Sequence, residues 1–247
     1  PINFFGLVSF PQDKHVHYNE EIRIIGKKAE LTADIFINKN QSFVDESNQF
    51  GFPIDLDLGK NIVEVAFETK EKKVLTFYSR ILRLATYPDL NSKVKGRREI
   101  EFLSTLEILH GDDDGNFYPN RNVTRQFITK LMVLAIDEKV KEDITEDLFV
   151  DVSKDHPFAR YIEAGLNTGL IFAFPDGTFK PEQELTLSEV IYLMSNAGVI
   201  DYEEVEDADN LVTRAQLAEF LAYTPKFERK IEKLIDWESG YNIEDKE

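Results

Sequence analysis

Two arginines carry the most specific chemistry in this sequence. Arg125 and Arg214 each follow a threonine, in the strings Val123-Thr124-Arg125 and Val212-Thr213-Arg214, at the head of an apolar-periodic run. A Thr in that place is a helix N-cap. Each Arg therefore falls at a helix N-terminus, where the aligned peptide dipoles disfavour a cation. A placement that works against the dipole asks for a compensating anion, and the free N–H groups of a first turn point the same way. A carboxylate on a ligand would serve, and so would an internal Asp or Glu.

Other chemistries fit less well. The run His110-Gly111-Asp112-Asp113-Asp114-Gly115-Asn116 invites a calcium loop, which needs Gly sixth and Glu twelfth. Setting Gly115 sixth puts His110 first and Arg121 twelfth, so the run reads as a turn instead. His15 and His17 alternate on one side of a strand, but a metal needs further ligands and none is evident. The chain has no Cys, which removes disulfides, thiolate sites and a cysteine nucleophile. No phosphate-binding Gly loop, Ser-centred elbow or His-Glu metal helix occurs. No stretch isolates two carboxylates in an apolar, aromatic setting, as glycoside hydrolysis would require. The sequence thus reads as non-catalytic, with no cofactor and no metal.

The elements that must position the arginines fall into two halves. Up to about Leu84 the period is two: Val63, Val65 and Phe67 share one face of a run, with Glu64 and Glu68 on the other. Around seven such runs, separated by Gly, Asn, Asp or Pro, predict an antiparallel sandwich. From about Gly96 the period becomes helical, as in Ile100, Leu103, Leu106 and Ile108 or Leu109. Six short helices are predicted, the last carrying Phe227, Ile231, Leu234 and Trp237 on one stripe.

Charge divides the chain at the same place. Of the net −17, residues 1–88 hold 11 Lys and Arg against 12 Asp and Glu, and residues 89–247 hold 18 against 34. A field of that sign repels phosphate backbones, so nucleic acid is a poor partner. No apolar run reaches the ~18 residues that span a bilayer. The opening PINFFGLVSF lacks an initiator Met, a basic region and a cleavage site, and reads as a strand in a chain whose own start has been removed.

The helical half repeats itself. Gly111–Met132 aligns without a gap on Ala173–Met194, and a shorter echo begins at Val212. Asp114-Gly115 and Asp176-Gly177 supply turns in which Gly takes positive φ. Phe117 and Phe179 follow as buried anchors, then Pro119 and Pro181 hold the chain extended before Thr124, Thr186 and Thr213 cap the next helices. Glu189 and Gln216 complete capping boxes with two of them. The acidic runs EDITED and DYEEVEDADN read as solvated connections.

The residues Gly26, Ile37-Asn38, Phe50 to Phe52 and Leu58 to Val65 resemble the bacterial immunoglobulin-like modules of surface proteins. The stretch Phe149 to Glu189, with FPDGTFKP at its centre, resembles the S-layer homology motif, and the likeness extends over roughly residues 96–223. That family implies non-covalent binding to cell-wall polysaccharide, anchoring an exported protein to the envelope. It implies polymer contacts at Arg125 and Arg214, with Asp114, Asp151, Asp176 and Gly169 in the same motifs. The sequence departs from the pattern at Pro157, where Trp is usual, at Leu187 in place of Arg, and in a first copy without the F-x-D-V opening.

The expected architecture is an antiparallel immunoglobulin-like sandwich over residues 1–88, then an all-α pseudo-threefold triplet over residues 89–247, with repeats at about 96–137, 149–198 and 204–237. The expected partner is a wall polysaccharide or peptidoglycan-linked polymer, with no membrane-spanning segment. Two alternatives stand beside it: a module that has lost its ligand and assembles with other envelope proteins, and an accessory region of a carbohydrate-active enzyme.

Overall fold

A computed structural model describes residues 7–201 and 208–241. The chain forms two units: one holds the residues up to Thr86 and those from Glu232 onward, the other Tyr87–Ile231. Residues 1–6 of the opening strand and Tyr202–Asp207 of the second acidic run lie outside the described residues.

Eight strands build the first unit: β1 (Leu7–Ser9), β2 (His15–His17), β3 (Glu21–Lys27), β4 (Thr32–Ile37), β5 (Asn40–Gln41), β6 (Gln49–Asp55), β7 (Gly59–Thr69) and β8 (Val74–Arg83). They form two sheets, in the orders β1-β3-β6 and β2-β8-β7-β4-β5. The alternation of β7 does what it foretells. Val63, Val65 and Phe67 are fully buried, and with Ile35, Ile37 and Ile81 they meet Ile24, Phe50 and Ile54 of the other sheet in one core. The short β2 runs parallel to β8, pairing His15 with Ile81 and His17 with Arg83.

This unit also takes in the end of the chain. Arg80 donates to the Trp237 carbonyl at 2.6 Å and pairs with Asp13 and Glu238. Lys60 donates to the carbonyls of Asp236 and Ser239, both at 2.5 Å. Trp237, placed by its spacing on an apolar stripe with Phe227, Ile231 and Leu234, instead follows the last helix and stacks on Tyr241 at 5.9 Å.

The second unit carries the helices α1 (Arg97–Thr105), α2 (Arg125–Ala135), α3 (Ala159–Asn167), α4 (Leu187–Asn196) and α5 (Arg214–Ala222), with α6 (Pro225–Ile235) continuing past its boundary. Their buried faces hold Ile100, Leu103, Ile128, Leu131, Ile162, Val190, Ile191, Leu217 and Leu221. At Gly165 a Cβ would stand 3.1 Å from Cγ2 of Thr129, so a glycine lets α3 lie close on α2.

The helix starts are knotted together by backbone. Val123 N–H donates to the Val212 carbonyl, Val212 N–H to Leu185, and Leu185 N–H to Val123, at 2.8, 3.1 and 3.1 Å. All three side chains are buried. Isolated β-bridges flank this cycle, pairing Asn122 with Thr213, Thr124 with Glu184 and Thr186 with Leu211.

The expected fold class is corrected in both halves. The strands are not purely antiparallel, because β2 joins β8 in parallel. The rest is not an all-α pseudo-threefold triplet. Its helices are short, and the chain between them pairs in extended bridges, because the N-cap threonines Thr124, Thr186 and Thr213 have β geometry and leave backbone groups to be paired. The class is mixed: β-sheets, then six helices among the described residues.

Candidate functional site

Each Asp-Gly turn is built by its own side chain. Asp114 Oδ1 accepts the Asn116 N–H and Asp176 Oδ1 the Thr178 N–H, both at 3.0 Å. Gly115 and Gly177 take φ of 84° and 77°, the left-handed conformation that closes the turn. The Tyr118 hydroxyl holds the Asp114 carboxyl below its usual range, with the Asn116 amide adding to it. Thr178, through its hydroxyl and then its amide, does the same for Asp176.

The turns deliver Phe117 and Phe179 to the core, both fully buried. Phe179 packs on Phe149 at 5.4 Å, and Asp151 accepts the N–H groups of Phe179 and Lys180, both at 2.8 Å. Asp151 is thus occupied within the fold. The first copy has the same device. Tyr87 lies 5.3 Å from Phe117, and Asp89 accepts the N–H groups of Phe117 at 3.0 Å and Tyr118 at 2.6 Å. The apparent lack of an F-x-D-V opening is therefore corrected: Tyr87-Pro88-Asp89-Leu90 fills it. The signal was the spacing, since 28 residues separate Asp from Phe in both copies.

Gly169 sits at the end of α3, with φ 72°, donating to Leu166 while Leu170 donates to Gly165. This is a Schellman C-cap. Glu107 makes the same cap after α1 with φ 57°.

The helix N-termini hold a surprise for the anion argument. The N–H groups of Arg125 and Gln126 go to the carbonyls of Gln183 and Pro181, those of Leu187 and Ser188 to Asn210 and Ala208, and those of Arg214 and Ala215 to Arg121 and Pro119. The first two N–H groups of α2, α4 and α5 are therefore spent inside the protein and do not await a ligand. Thr186 and Thr213 form full capping boxes, whereas Thr124 makes no side-chain cap, its N3 residue being Phe127.

The two arginine side chains occupy equivalent places. Arg214 lies over Phe117 and Phe127 at 4.5 and 4.6 Å and donates to the His110 carbonyl at 2.6 Å. Arg125 lies over Phe174 and Phe179 at 4.8 and 5.1 Å and reaches the Phe172 carbonyl at 3.5 Å. Burial pushes both guanidinium groups down from their ordinary value, opposed by Asp112 near Arg214 and by Glu189 near Arg125. Both stay charged. The nearest carboxylate to Arg214 is Asp112 at 3.8 Å, already paired with Arg121. The Nε atoms of both arginines are buried without a hydrogen-bond partner.

Arg214 opens on a cleft of about 720 Å³. Asp112, Asp114, Arg121, Gln126, Phe127, Lys130, Arg160 and Tyr161 share its walls. Lys130 lies 5.5 Å from the Tyr161 ring, and burial first, then Arg160 and Arg214, push the pKa of its ammonium below the ordinary value. The cleft thus sets Arg121, Lys130, Arg160 and Arg214 among the carboxylates of Asp112, Asp113, Asp114 and Glu182, beside aromatic rings. Of the residues singled out by sequence, it brings together Arg214 and Asp114. Arg125, Asp151, Asp176 and Gly169 do not line it, and Lys130, Arg160 and Gln126 were missed. His15 and His17 stand apart, 5.6 Å between ring centres, and no group of three His, Asp or Glu suited to a metal occurs among the described residues. No helix among them is long and apolar enough to cross a membrane.

Known proteins are similar to part of this chain. Cell surface glycoprotein 1 of Acetivibrio thermocellus is 29% identical over 119 residues, 45% of this chain and 5% of that protein. The Surface-layer 125 kDa protein of Lysinibacillus sphaericus is 26% identical over 141 residues, 54% of this chain and 12% of that protein. The Cellulosome-anchoring protein of Acetivibrio thermocellus is 22% identical over 130 residues, 49% of this chain and 29% of that protein. The chain therefore spans under a third of the length of each of these relatives. The family model of the S-layer homology domain matches residues 86–126 and 148–191, so that the first match opens just ahead of Tyr87 and Asp89.

Proposed function

We propose that this chain fastens an exported protein to the cell wall by non-covalent binding of a wall polysaccharide in the cleft beside Arg214. The observation that carries the reading is the state of that arginine. It is 6% exposed, stacked between two rings, and its nearest carboxylate is shared with Arg121. A buried cation without a close counter-ion is costly unless a ligand supplies one. Lys130 and Arg160 add charge of the same sign, and Tyr161 and Phe127 offer the flat apolar surface that sugar rings use. Arg125 holds the equivalent place in the second turn, and Asp114, Asp151, Asp176 and Gly169 set the turns and caps that carry the contacts. A net charge of −17 repels an anionic polymer at long range, so attraction is local and short-ranged.

The S-layer homology match and the names of the relatives support a place at the cell surface. Cosedimentation with purified wall sacculi, with and without their attached polysaccharide, tests the reading. Retention that disappears with the polysaccharide is expected; equal retention on stripped sacculi would refute it.

One observation favours a second reading, a protein-assembly module. Where the third arginine would stand, Leu187 lines a pocket of about 280 Å³ with Val190, Leu211, Leu217 and Phe220. An apolar recess of this kind suits a protein side chain better than a charged sugar. Sedimentation equilibrium distinguishes the two: concentration-dependent association without polysaccharide binding selects assembly.

A further inference from the structure

We infer that the α2 wall of the cleft, Gln126 together with Lys130, reads a hydrogen-bond donor and an anionic group on one and the same ligand unit. This rests on the wall-polysaccharide reading and narrows it. Gln126 is 8% exposed, and its backbone N–H is fixed on the Pro181 carbonyl at 3.0 Å. Its Nε2 donates to Glu182 Oε1 at 2.7 Å. A carboxylate only accepts, so this bond decides which way the amide points. Oε1 is left over, buried and without a partner.

An orphaned buried acceptor costs free energy that any apolar side chain would avoid. Its place on a cleft wall gives the cost a use, since a modest turn of the amide about the Glu182 bond presents Oε1 to the cleft. Lys130 follows one helical turn later on the same face, about 5–6 Å away between Cβ atoms. It is half-buried, faces Arg160, Arg214 and the Tyr161 ring, and has no carboxylate partner among the described residues.

A neutral glycan leaves Lys130 uncompensated, and a bare anion leaves Oε1 unpaired. The ligand that answers both is a sugar unit with a carboxylate or phosphate and, roughly one helical turn distant, a hydroxyl or amide N–H. Sites built to pair a donor reject analogues that lack it, because the protein group is then stranded.

Calorimetric titration of the intact chain tests this. One probe is soluble polysaccharide released from purified sacculi. The other is that polymer methylated at its hydroxyl and amide positions, with its acid groups then freed. The wild-type chain is expected to bind the methylated polymer roughly tenfold more weakly, the worth of about one hydrogen bond. Gln126→Leu is expected to bind the native polymer roughly tenfold more weakly, to treat both polymers alike, and to unfold at no lower temperature. Gln126→Ala carries the same expectation if Leu disturbs the packing. Wild-type affinity and undiminished discrimination in these variants would overturn the inference and leave wall binding standing. Weakened binding accompanied by a lowered unfolding temperature would assign Gln126 a structural role and overturn it likewise. No binding of either polymer by the wild-type chain would overturn the wall-polysaccharide reading itself.

Discussion

The carboxylate of Asp89 accepts the backbone N–H of Phe117 at 3.0 Å, across 28 residues of chain. Asp151 does the same for Phe179. Each Asp also takes the next N–H, from a residue with positive φ, Tyr118 or Lys180. One side chain thus fixes the turn, seats the aromatic anchor and holds a strained residue behind it.

Asp89→Ala and Asp151→Ala are each expected to destabilise the second unit by about 1–3 kcal/mol, the smaller loss at Asp151, because two backbone donors lose a charged acceptor and one of Asp151's two is exposed. Urea unfolding measures it. A change within about 0.5 kcal/mol, ordinary for a surface position, would contradict the role.

The anchors themselves are expected to matter more. Phe179→Ala removes a fully buried ring and should cost about 3–5 kcal/mol. Phe117→Ala should cost a similar amount and also loosen Arg214, which lies over that ring at 4.5 Å. Denaturant midpoints compared with Phe117→Leu separate the lost volume from the lost ring.

Gly198 after α4 and Asp137 after α2 close their helices with the same pair of bonds as Gly169 and Glu107. These four caps among the described residues differ in what they ask of their residue. Gly169 and Gly198 take the left-handed position freely, whereas Glu107 and Asp137 hold φ of 57° and 56° with side chains attached. Glu107→Gly and Asp137→Gly are expected to stabilise by about 0.5–1 kcal/mol each, the relief exceeding the entropy added to the unfolded chain. Asp137 pairs with Lys226 at 2.9 Å, so the gain at that site should be the smaller of the two. Thermal unfolding would show either gain as a raised midpoint.

Acid should loosen the first unit in a defined window. The Arg80 side chain holds the Asp13 carboxyl down to about 2, below its usual range. A carboxylate whose folded value is depressed contributes stability that is full above its unfolded value near 4 and is lost as pH falls through about 2. The stability difference between wild type and Asp13→Asn is therefore expected to shrink from about pH 5 downward and vanish only below about pH 2. A difference constant across that range would contradict the pairing.

Much of this was legible because it is local. The alternation of Val63, Val65 and Phe67 marked β7, and Thr186 with Glu189 and Thr213 with Gln216 marked helix starts that form as capping boxes. What stayed hidden depends on partners distant in sequence. Nothing near His15 says that β2 will lie parallel to Ile81 in β8. The first-turn N–H groups of α2 looked free because their acceptors, Gln183 and Pro181, lie more than 50 residues on. Asp89 escaped notice because Tyr-Pro stands where the second copy has Phe-Val, although its spacing to Phe117 is unchanged. Lys130 and Gln126 read as ordinary helix residues until α3 supplied the opposite wall.

The most direct measurement of the central claim is nuclear magnetic resonance of the isotope-labelled chain during titration with soluble wall polysaccharide. Saturable shifts centred on the Arg214 Nε–H, the Arg160 guanidinium, the Lys130 side chain and the Tyr161 ring are the expected result. Shifts confined to the first unit, or none at polymer concentrations where sacculi retain the protein, would contradict binding in this cleft.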